Sequence, residues 1–199
     1  RDITYTTESS GGLQILLHSG NYEFETINVH VLHGGCSVYP VGSGDLDEDG
    51  RDDLVIFDNS IFSTDKIVLV RYDGQRFTTS RHVSGVYISK DIEVTDFNGD
   101  GHLDIVCASD GGPVEVHEGN GAGSFASRLL PTVDILHTIS VSDLNGDDRM
   151  DLIGGTYDKQ VVTYLSDGTS YVQQEYTASN QTSQIVIRDF SGDLVTDIM

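Results

Sequence analysis

Short runs of alternating apolar and polar residues recur along the whole chain, and Gly- or Asp-rich turns separate them. Residues 92–95 and 139–142 are examples, and each run has the length of a strand. Because an alternation with a period of two places every second side chain on one face of a sheet, these runs predict β-strands. No stretch of the sequence keeps the period of an amphipathic helix. The pattern therefore predicts an all-β protein.

The predicted strands form a unit that repeats about every 50 residues. In each unit, strand A leads into an acidic loop, strand B follows, and strand C runs into a Gly-containing turn and an aromatic residue before strand D. Gly between two alternating runs is a hairpin signal, so we expect antiparallel neighbours. Strand A is predicted at 37–44, 92–95, 139–142 and 185–188, strand B at 54–58, 105–108 and 152–156, and strand C with its turn at 67–77, 114–125, 161–171 and, at the N-terminus, 13–24.

The acidic loops share one nine-residue pattern. They begin at Asp45, Asp96, Asp143 and Asp189, so their first aspartates are 51, 47 and 46 residues apart. A nearly fixed period of this length is typical of repeat architectures such as β-propellers. We therefore expect a single β-propeller domain over residues 1–199, built of four-stranded antiparallel blades from four repeats.

Each loop carries oxygen donors in an order that predicts a metal site. A hard divalent cation takes several oxygen ligands at short range, and aspartate is the shortest side chain that offers a full charge. Side chains at loop positions 1, 3, 5 and 9 can converge on one centre, and the backbone carbonyl of position 7 can join them. The predicted ligands are Asp45, Asp47, Asp49, Arg51 and Asp53; Asp96, Asn98, Asp100, His102 and Asp104; Asp143, Asn145, Asp147, Arg149 and Asp151; and Asp189, Ser191, Asp193, Val195 and Asp197.

The sixth loop position should separate strong sites from weak ones. The chain turns sharply there, and Gly tolerates the positive φ that such a turn requires. Gly50 and Gly101 meet this need, and Asp148 is acceptable because Asp visits the left-handed region more readily than most residues. Leu194 fits poorly, so we expect up to four Ca²⁺ ions with the fourth site weakest or empty. Oxygen-only ligands favour a hard cation, although they do not separate calcium from manganese.

Two other interpretations fit the loops less well. Asp and Asn are common turn formers, so the loops could be solvated acidic turns, but four copies in register argue against that. An EF-hand would need Glu at the twelfth position and flanking helices. The first loop has Ile56 there, and its flanks have the pattern of strands.

The net charge of −21 over 199 residues argues against a nucleic-acid partner, which a basic surface would bind. Sixteen of the 32 acidic residues lie within the four loops, so metal ligation accounts for much of the acidity. No apolar run reaches the roughly 18 residues that span a membrane, and we expect no membrane insertion.

Several features favour a secreted or extracellular protein. Calcium loops of micromolar to millimolar affinity are filled outside cells. A sequon for N-glycosylation occurs at Asn180, although such triplets are common by chance. The chain begins with Arg1, which fits a processed protein or an excised fragment. Cys36 and Cys107 are interpreted as two buried apolar residues in preference to a disulfide.

The two ends of the chain have the same phase within the repeat. Residues 1–5 resemble the end of an acidic loop running into strand B, and residues 197–199 stop at the same place. N-terminal strands could therefore complete the last blade and close the ring, which would remove open edges. The alternatives are a piece of a larger ring, or half of a dimeric ring formed by two copies.

The loops at 44–54 and 96–105 resemble the FG-GAP, or VCBS-type, repeats of calcium-binding β-propellers. Known members form the N-terminal head of integrin α subunits, and others occur in lectins and in polysaccharide-degrading enzymes. The resemblance covers all four repeats, and it implies calcium at the ligand positions named above. In such a fold the calcium loops tie strands A and B together on one face.

Three classes of function remain open. A binding module, either a lectin or an adhesion protein with glycans or extracellular proteins as partners, would use the B–C and D–A connections on the face opposite the calcium loops. Candidate ligand residues there are His33, Tyr87, Lys90, His137 and Tyr157, alongside Asp58, His82, Asp110 and Asp158. The absence of Trp weakens the lectin interpretation, and nine tyrosines partly compensate.

An enzyme is less favoured, because the ordered aspartates are already explained as metal ligands and the histidines are scattered. It would be a polysaccharide lyase or hydrolase, and we predict no catalytic residues. A structural propeller that organises a larger assembly, including a homodimer, is the remaining alternative.

Overall fold

A computed structural model of the chain describes residues 3–6, 12–20, 23–30, 38–58, 67–82, 89–109, 112–132, 135–178, 180, 184–191 and 197–198. These residues form strands, turns and bends, with no helix among them. Accordingly, no helix in the described part is long and apolar enough to cross a membrane. The chain divides into two compact units, residues 1–45 with 49–85, and residues 46–48 with 86–199.

The first unit contains a three-stranded and a four-stranded sheet, both antiparallel. The three-stranded sheet has the order β1-β2-β3, and the four-stranded sheet has the order β4-β5-β6-β7. The strands are β1 (Ile3–Thr6), β2 (Gly12–Gly20), β3 (Glu23–His30), β4 (Val38–Gly44), β5 (Asp53–Asp58), β6 (Ile67–Tyr72) and β7 (Phe77–His82).

The second unit contains two more four-stranded antiparallel sheets and one short strand pair. The sheets have the orders β11-β10-β9-β8 and β12-β13-β14-β15, and β16 pairs with β17. The strands are β8 (Ser89–Thr95), β9 (Asp104–Ser109), β10 (Glu115–Gly119), β11 (Phe125–Leu129), β12 (Leu136–Ser142), β13 (Asp151–Thr156), β14 (Gln160–Ser166), β15 (Tyr171–Thr177), β16 (Ile187–Arg188) and β17 (Asp197–Ile198).

The two central strands of each four-stranded sheet carry the apolar core. Ile56, Val68 and Val70 are buried in the first unit, where Leu13 and Ile15 of β2 join the same cluster. In the second unit one cluster unites both four-stranded sheets, since it includes residues of β9 and β10 together with Leu152 and Val162. The last strand of each sheet is mostly exposed, as the polar sequences of β7, β11 and β15 predict.

Polar contacts also join the two sheets of the second unit. The Asp91 carboxylate accepts hydrogen bonds from the Thr138 hydroxyl (2.8 Å) and from the backbone N–H of Ile139 (3.0 Å). The Ser140 hydroxyl donates to Glu93 (3.2 Å), and burial raises the pKa of that carboxyl. These hydrogen bonds connect β8 to β12, so the two repeats share polar contacts as well as an apolar core.

The expected all-β architecture of antiparallel four-stranded sheets is confirmed. The predicted order A, loop, B, C, turn, D is present in three complete copies, which begin at β4, β8 and β12. The N-terminal copy appears as β1 to β3, with β1 in the predicted place of strand B. β8 and β12 begin three residues before the predicted strand A, and β5, β9 and β13 begin one residue before the predicted strand B, because backbone pairing continues past the apolar residues. β4 and β16 instead begin later than predicted, at Val38 and Ile187.

Candidate metal-binding loops

All four acidic loops connect strand A to strand B of a sheet. The first three run from Asp45 to Asp53 between β4 and β5, from Asp96 to Asp104 between β8 and β9, and from Asp143 to Asp151 between β12 and β13. The fourth lies between β16 and β17, and its residues 192–196 are outside the described part. The ninth residue of each loop is therefore also the first residue of a strand.

The first loop brings three predicted ligands together. One carboxylate oxygen from each of Asp45, Asp47 and Asp49 lies within 4.8 Å of the others. Three converging anionic oxygens are a donor set for a hard cation such as calcium. Asp53 does not belong to this cluster; it is buried, and its Oδ2 accepts a hydrogen bond from Arg71 Nε at 3.3 Å.

The first aspartate of each of the first three loops organises the backbone of the turn. The Asp45 carboxylate accepts the N–H groups of Asp49 (3.0 Å) and Gly50 (2.9 Å). Asp96 and Asp143 accept the equivalent N–H groups of positions 5 and 6, and also that of position 4. Short side chains that accept backbone N–H groups locally stabilise such turns.

The fifth position repeats this role on a smaller scale. Asp49, Asp100 and Asp147 each accept the backbone N–H of position 7, at 2.9, 2.9 and 3.0 Å. Backbone hydrogen bonds stabilise the charged form, and they hold the pKa of Asp100 and of Asp143 below the usual range. The carboxylates of Asp100 and Asp143 are therefore ionised at neutral pH, as metal ligation requires.

The ninth position has a second structural role. Asp104 is fully buried, and its Oδ2 accepts the N–H groups of Phe97 (3.0 Å) and Asn98 (3.2 Å), while Oδ1 accepts that of Gly119 (2.8 Å). Burial raises the pKa of this carboxyl, and the three backbone bonds oppose the rise. Asp104 thus connects its loop to the end of strand β10.

The third repeat has the same connection. Asp151 is fully buried and accepts the N–H of Leu144 (2.9 Å) and that of Ser166 (2.7 Å) at the end of β14. In the fourth loop Asp197 accepts the N–H groups of Phe190 and Ser191, both at 2.8 Å. The sequence predicts a metal ligand at position 9, and that stays a prediction; the bonds of this residue to strand C depend on tertiary contacts that the loop pattern does not encode.

Two loop positions have positive φ, and the sequence indicated only one of them. Position 6 has φ of 86° at Gly50, 90° at Gly101 and 63° at Asp148. Position 4 is also left-handed, with Glu48 at 58° and glycines in the next two loops. The glycines at position 4, Gly99 and Gly146, are the sequence signal for this second position of positive φ.

An apolar residue at position 2 anchors each of the first three loops to the neighbouring core. Leu46 and Phe97 are buried, and Leu144 is half-buried. Phe190 of the fourth loop is instead 48% exposed. Its Ser191 hydroxyl is 3.5 Å from Asp189 Oδ1, and Asp193, Leu194 and Val195 lie outside the described residues. The expectation of a weakest fourth site stays a prediction.

The candidate ligand residues fall into three groups. His33 and Tyr87 lie outside the described residues, as does Asp110, and for Lys90 only the backbone in β8 is described. His137 and Tyr157 lie together, with ring centroids 4.6 Å apart and planes tilted by 45°. Asp58 is buried and paired with Arg81 at 2.7 Å, which is a structural contact.

Cys107 is a free thiol and is fully buried, and burial raises its pKa well above the usual value. It therefore behaves as a small apolar residue, as the sequence predicted. Cys36 lies outside the described residues.

Comparison with known proteins supports the repeat assignment. Residues 96–154 match the family model of the FG-GAP-like repeat, which confirms the predicted resemblance over the second and third acidic loops. No curated protein sequence matches the chain. Among solved structures, the chain is similar to "Crystal structure of BBS1N in complex with ARL6DN, soaked with lead", with a TM-score of 0.52 and 16% identity. The match covers 74% of this chain and 46% of the solved structure's chain. This chain therefore spans less than half the length of that protein.

Proposed function

We propose that this chain is an extracellular, calcium-stabilised binding module of the β-propeller type, which binds carbohydrate as a lectin or acts in cell adhesion. The observation that carries the proposal is the cluster of Asp45, Asp47 and Asp49, whose carboxylates meet within 4.8 Å in a loop that recurs along the chain. The match to an FG-GAP-like repeat supports it independently.

Calcium is the ion that we propose for this set of oxygen donors. The ligands would be the side chains of loop positions 1, 3 and 5, with the position 7 carbonyl and the position 9 carboxylate completing the set. The ion would neutralise clustered negative charge and hold strands A and B together at the loop. The described loops offer only oxygen atoms at these positions, which suits a hard cation.

The remaining parts of the proposal follow from the repeat. The three complete four-stranded sheets would be blades of one propeller domain, in which the N-terminal strands complete the last blade. The acidic surface, with a net charge of −21, disfavours nucleic acid and leaves glycans or extracellular proteins as partners. Oligomeric state, including a homodimer, can be measured by light scattering after gel filtration.

A glycan array probed in calcium and again in EDTA tests the function. We expect binding to a defined set of oligosaccharides in calcium and loss of that binding in EDTA. A circular dichroism spectrum with β-sheet content must accompany the calcium sample, so that a negative array reflects the folded protein.

The two negative outcomes have different consequences. Folded, calcium-loaded protein that binds no glycan would contradict the lectin proposal and direct the search to protein partners. Binding that is equal in calcium and EDTA, with an unchanged melting temperature, would contradict a role for calcium in stabilising the fold.

A further inference from the structure

A cleft of about 590 Å³ opens in the second unit, next to the second and third acidic loops. Its walls are residues 96–99 and 148–150 of the loops, the side chains of Glu118 and Arg128, and the turn at 166–171 with Tyr171. The volume is within the range of small-ligand sites. Because the two sheets that form it share one apolar core, the walls are held by the same packed cluster.

One wall combines an aromatic ring with an ion pair. The Arg128 guanidinium lies 5.8 Å from the centroid of the buried Phe97 ring and donates a 2.6 Å hydrogen bond from Nε to Glu118 Oε1. The Tyr171 hydroxyl also interacts with Arg128. A guanidinium has five N–H donors and a carboxylate accepts at about four sites, so this pair retains both donors and acceptors for a bound molecule.

The opposite wall is a turn whose polar groups are fixed in place. Asp167 accepts the backbone N–H groups of Thr169 (2.8 Å) and Ser170 (2.6 Å) and both of their hydroxyls, at 2.9 and 2.6 Å. Gly168 has φ of 89°, and Arg149 packs so closely that a Cβ there would lie 3.2 Å from its Nε. The Thr169 and Ser170 oxygens at the rim are thus already ordered, which reduces the entropy lost on binding.

The charge balance of the lining selects the class of ligand. Arg128 and Arg149 are each paired, with Glu118 at 2.6 Å and with Asp147 at 3.2 Å. An anionic ligand would meet Asp96, Glu118 and Asp148, and a cationic ligand would meet the two arginines. A neutral molecule with several hydroxyl groups avoids both conflicts, because each hydroxyl can donate to a carboxylate and accept from a guanidinium.

We infer that this cleft is a binding site for a neutral oligosaccharide, with Arg128, Glu118 and Tyr171 as the residues that hydrogen-bond its hydroxyl groups. The inference rests on the proposed carbohydrate-binding function and assigns its location and ligand class. Met150 and the Tyr171 ring would supply the apolar surface that the C–H faces of a sugar contact.

The site is also coupled to the acidic loops. Asp104 joins the second loop to Gly119, and Asp151 joins the third loop to Ser166, which lines the cleft. Ordering of either loop by a cation therefore orders a wall of the cleft. Binding of sugar should weaken when calcium is removed even where the sheets stay folded.

The test uses an array of neutral oligomers of glucose, galactose, mannose and N-acetylglucosamine, with uronic acid and amino sugar oligomers as charged competitors. The strongest soluble binder is then titrated calorimetrically against the full chain and three variants. Arg128→Gln should lower affinity about tenfold or more and Tyr171→Phe about fivefold, since they remove a charged and a neutral hydrogen bond.

Arg76→Gln is the matched control. Arg76 is exposed in the turn between β6 and β7, which is the equivalent in the first unit of the turn between β14 and β15, and it pairs with Asp73 at 3.4 Å. Its affinity should equal that of the unmodified chain. Tyr171→Phe keeps the ring and its packing, so it tests whether the cleft binds the sugar even if Arg128→Gln does not fold.

The outcomes separate the inference from the function on which it rests. Unchanged affinity in both cleft variants would overturn the assignment of the site while leaving a lectin. Selective binding of the charged oligomers would overturn the ligand class. No binding of any oligomer by the folded, calcium-loaded chain would overturn the site and the proposed lectin function together.

Discussion

The first and third acidic loops form similar turns from different residues. Both have a first carboxylate that accepts the N–H groups of positions 5 and 6. At position 3, however, the first loop has Asp47 where the third has Asn145. The first loop therefore gathers three negative charges, whereas the third has two carboxylates and an amide that already donates to Asp147 at 3.4 Å.

The loops also differ in where they place backbone strain. The first loop has Gly50 at position 6 and the non-glycine Glu48 at position 4, and the third reverses this with Gly146 at position 4 and Asp148 at position 6. Each loop thus keeps one left-handed non-glycine residue. The comparison shows that the turn geometry is common, while charge and strain are distributed differently, so the loops should respond differently to metal and to mutation.

Removal of calcium should produce the largest effect on stability. Each site saturated at one hundred times its Kd contributes about 2.7 kcal/mol to the free energy of unfolding, provided the unfolded chain does not bind the ion. Differential scanning calorimetry in calcium and in EDTA measures the change, and excess magnesium controls for ionic strength. Equal melting temperatures in both buffers would show that the loops do not bind calcium in the folded state.

Asp104→Ala should separate the structural role of position 9 from metal binding. Truncation leaves three backbone N–H groups without their carboxylate, which should lower the free energy of unfolding by about 3 kcal/mol even in EDTA. Asp100→Ala, in the same loop, is the control: Asp100 is exposed, and its loss should have little effect in EDTA and a clear one in calcium. Equal effects of the two variants in EDTA would remove the distinction between the positions.

Conformational strain is tested by an exchange at position 6. Gly101→Ala places a Cβ in open space at φ of 90°, so its cost is that of the left-handed backbone alone, about 1–2 kcal/mol. Asp148→Gly is the reverse change and should stabilise the third loop by up to about 1 kcal/mol. Urea denaturation in EDTA measures both; a stabilising Gly101→Ala would mean that the turn does not require positive φ.

Sequence reasoning located the loops and strands well because both depend on local chemistry. The short run at 152–156 after the third acidic loop predicted β13, observed as Asp151–Thr156, and the spacing of Asp45, Asp47 and Asp49 predicted a cluster that the structure contains. These features need only a few neighbouring residues to form. Periodicity and turn preferences therefore determine them.

The features that were missed depend on contacts between distant segments. The bond from Gly119 to Asp104 joins residues fifteen apart, and a Cβ at Gly119 would collide with the carbonyl of Leu103. The approach of His137 to Tyr157 and the cleft around Arg128 likewise arise only when sheets pack. No local sequence pattern predicts such contacts. The positive φ at position 4 is different, because Gly99 and Gly146 mark it locally in two loops.

Asp47→Asn gives the first loop the ligand set of the third. Loss of one charge should weaken calcium binding at that loop by about tenfold, because affinity depends on the number of charged ligands. In EDTA the same change should stabilise the fold by about 1 kcal/mol, since repulsion between carboxylates is relieved. Isothermal titration and urea denaturation give the two values. Asn145→Asp, the reverse substitution, should change both in the opposite direction, and a shift of the same sign would contradict the charge argument.

The smallest effect concerns acid stability at the turn that lines the cleft. Hydrogen bonds from the Ser170 hydroxyl, and then from the Ser170 and Thr169 N–H groups, hold the pKa of Asp167 well below its usual range. A lowered folded-state pKa contributes stability above the unfolded value of about 3.9, and that contribution is lost as the pH falls toward the folded-state pKa. The difference in unfolding free energy between the unmodified chain and Asp167→Asn should therefore be constant above about pH 5 and shrink below it.

Ser170→Ala removes the strongest hydrogen bond to Asp167. The pKa of Asp167, followed by NMR titration, should therefore rise toward the usual value, and the loss of stability should begin at higher pH. A difference that does not vary with pH would mean that the turn holds Asp167 no more tightly than the unfolded chain does.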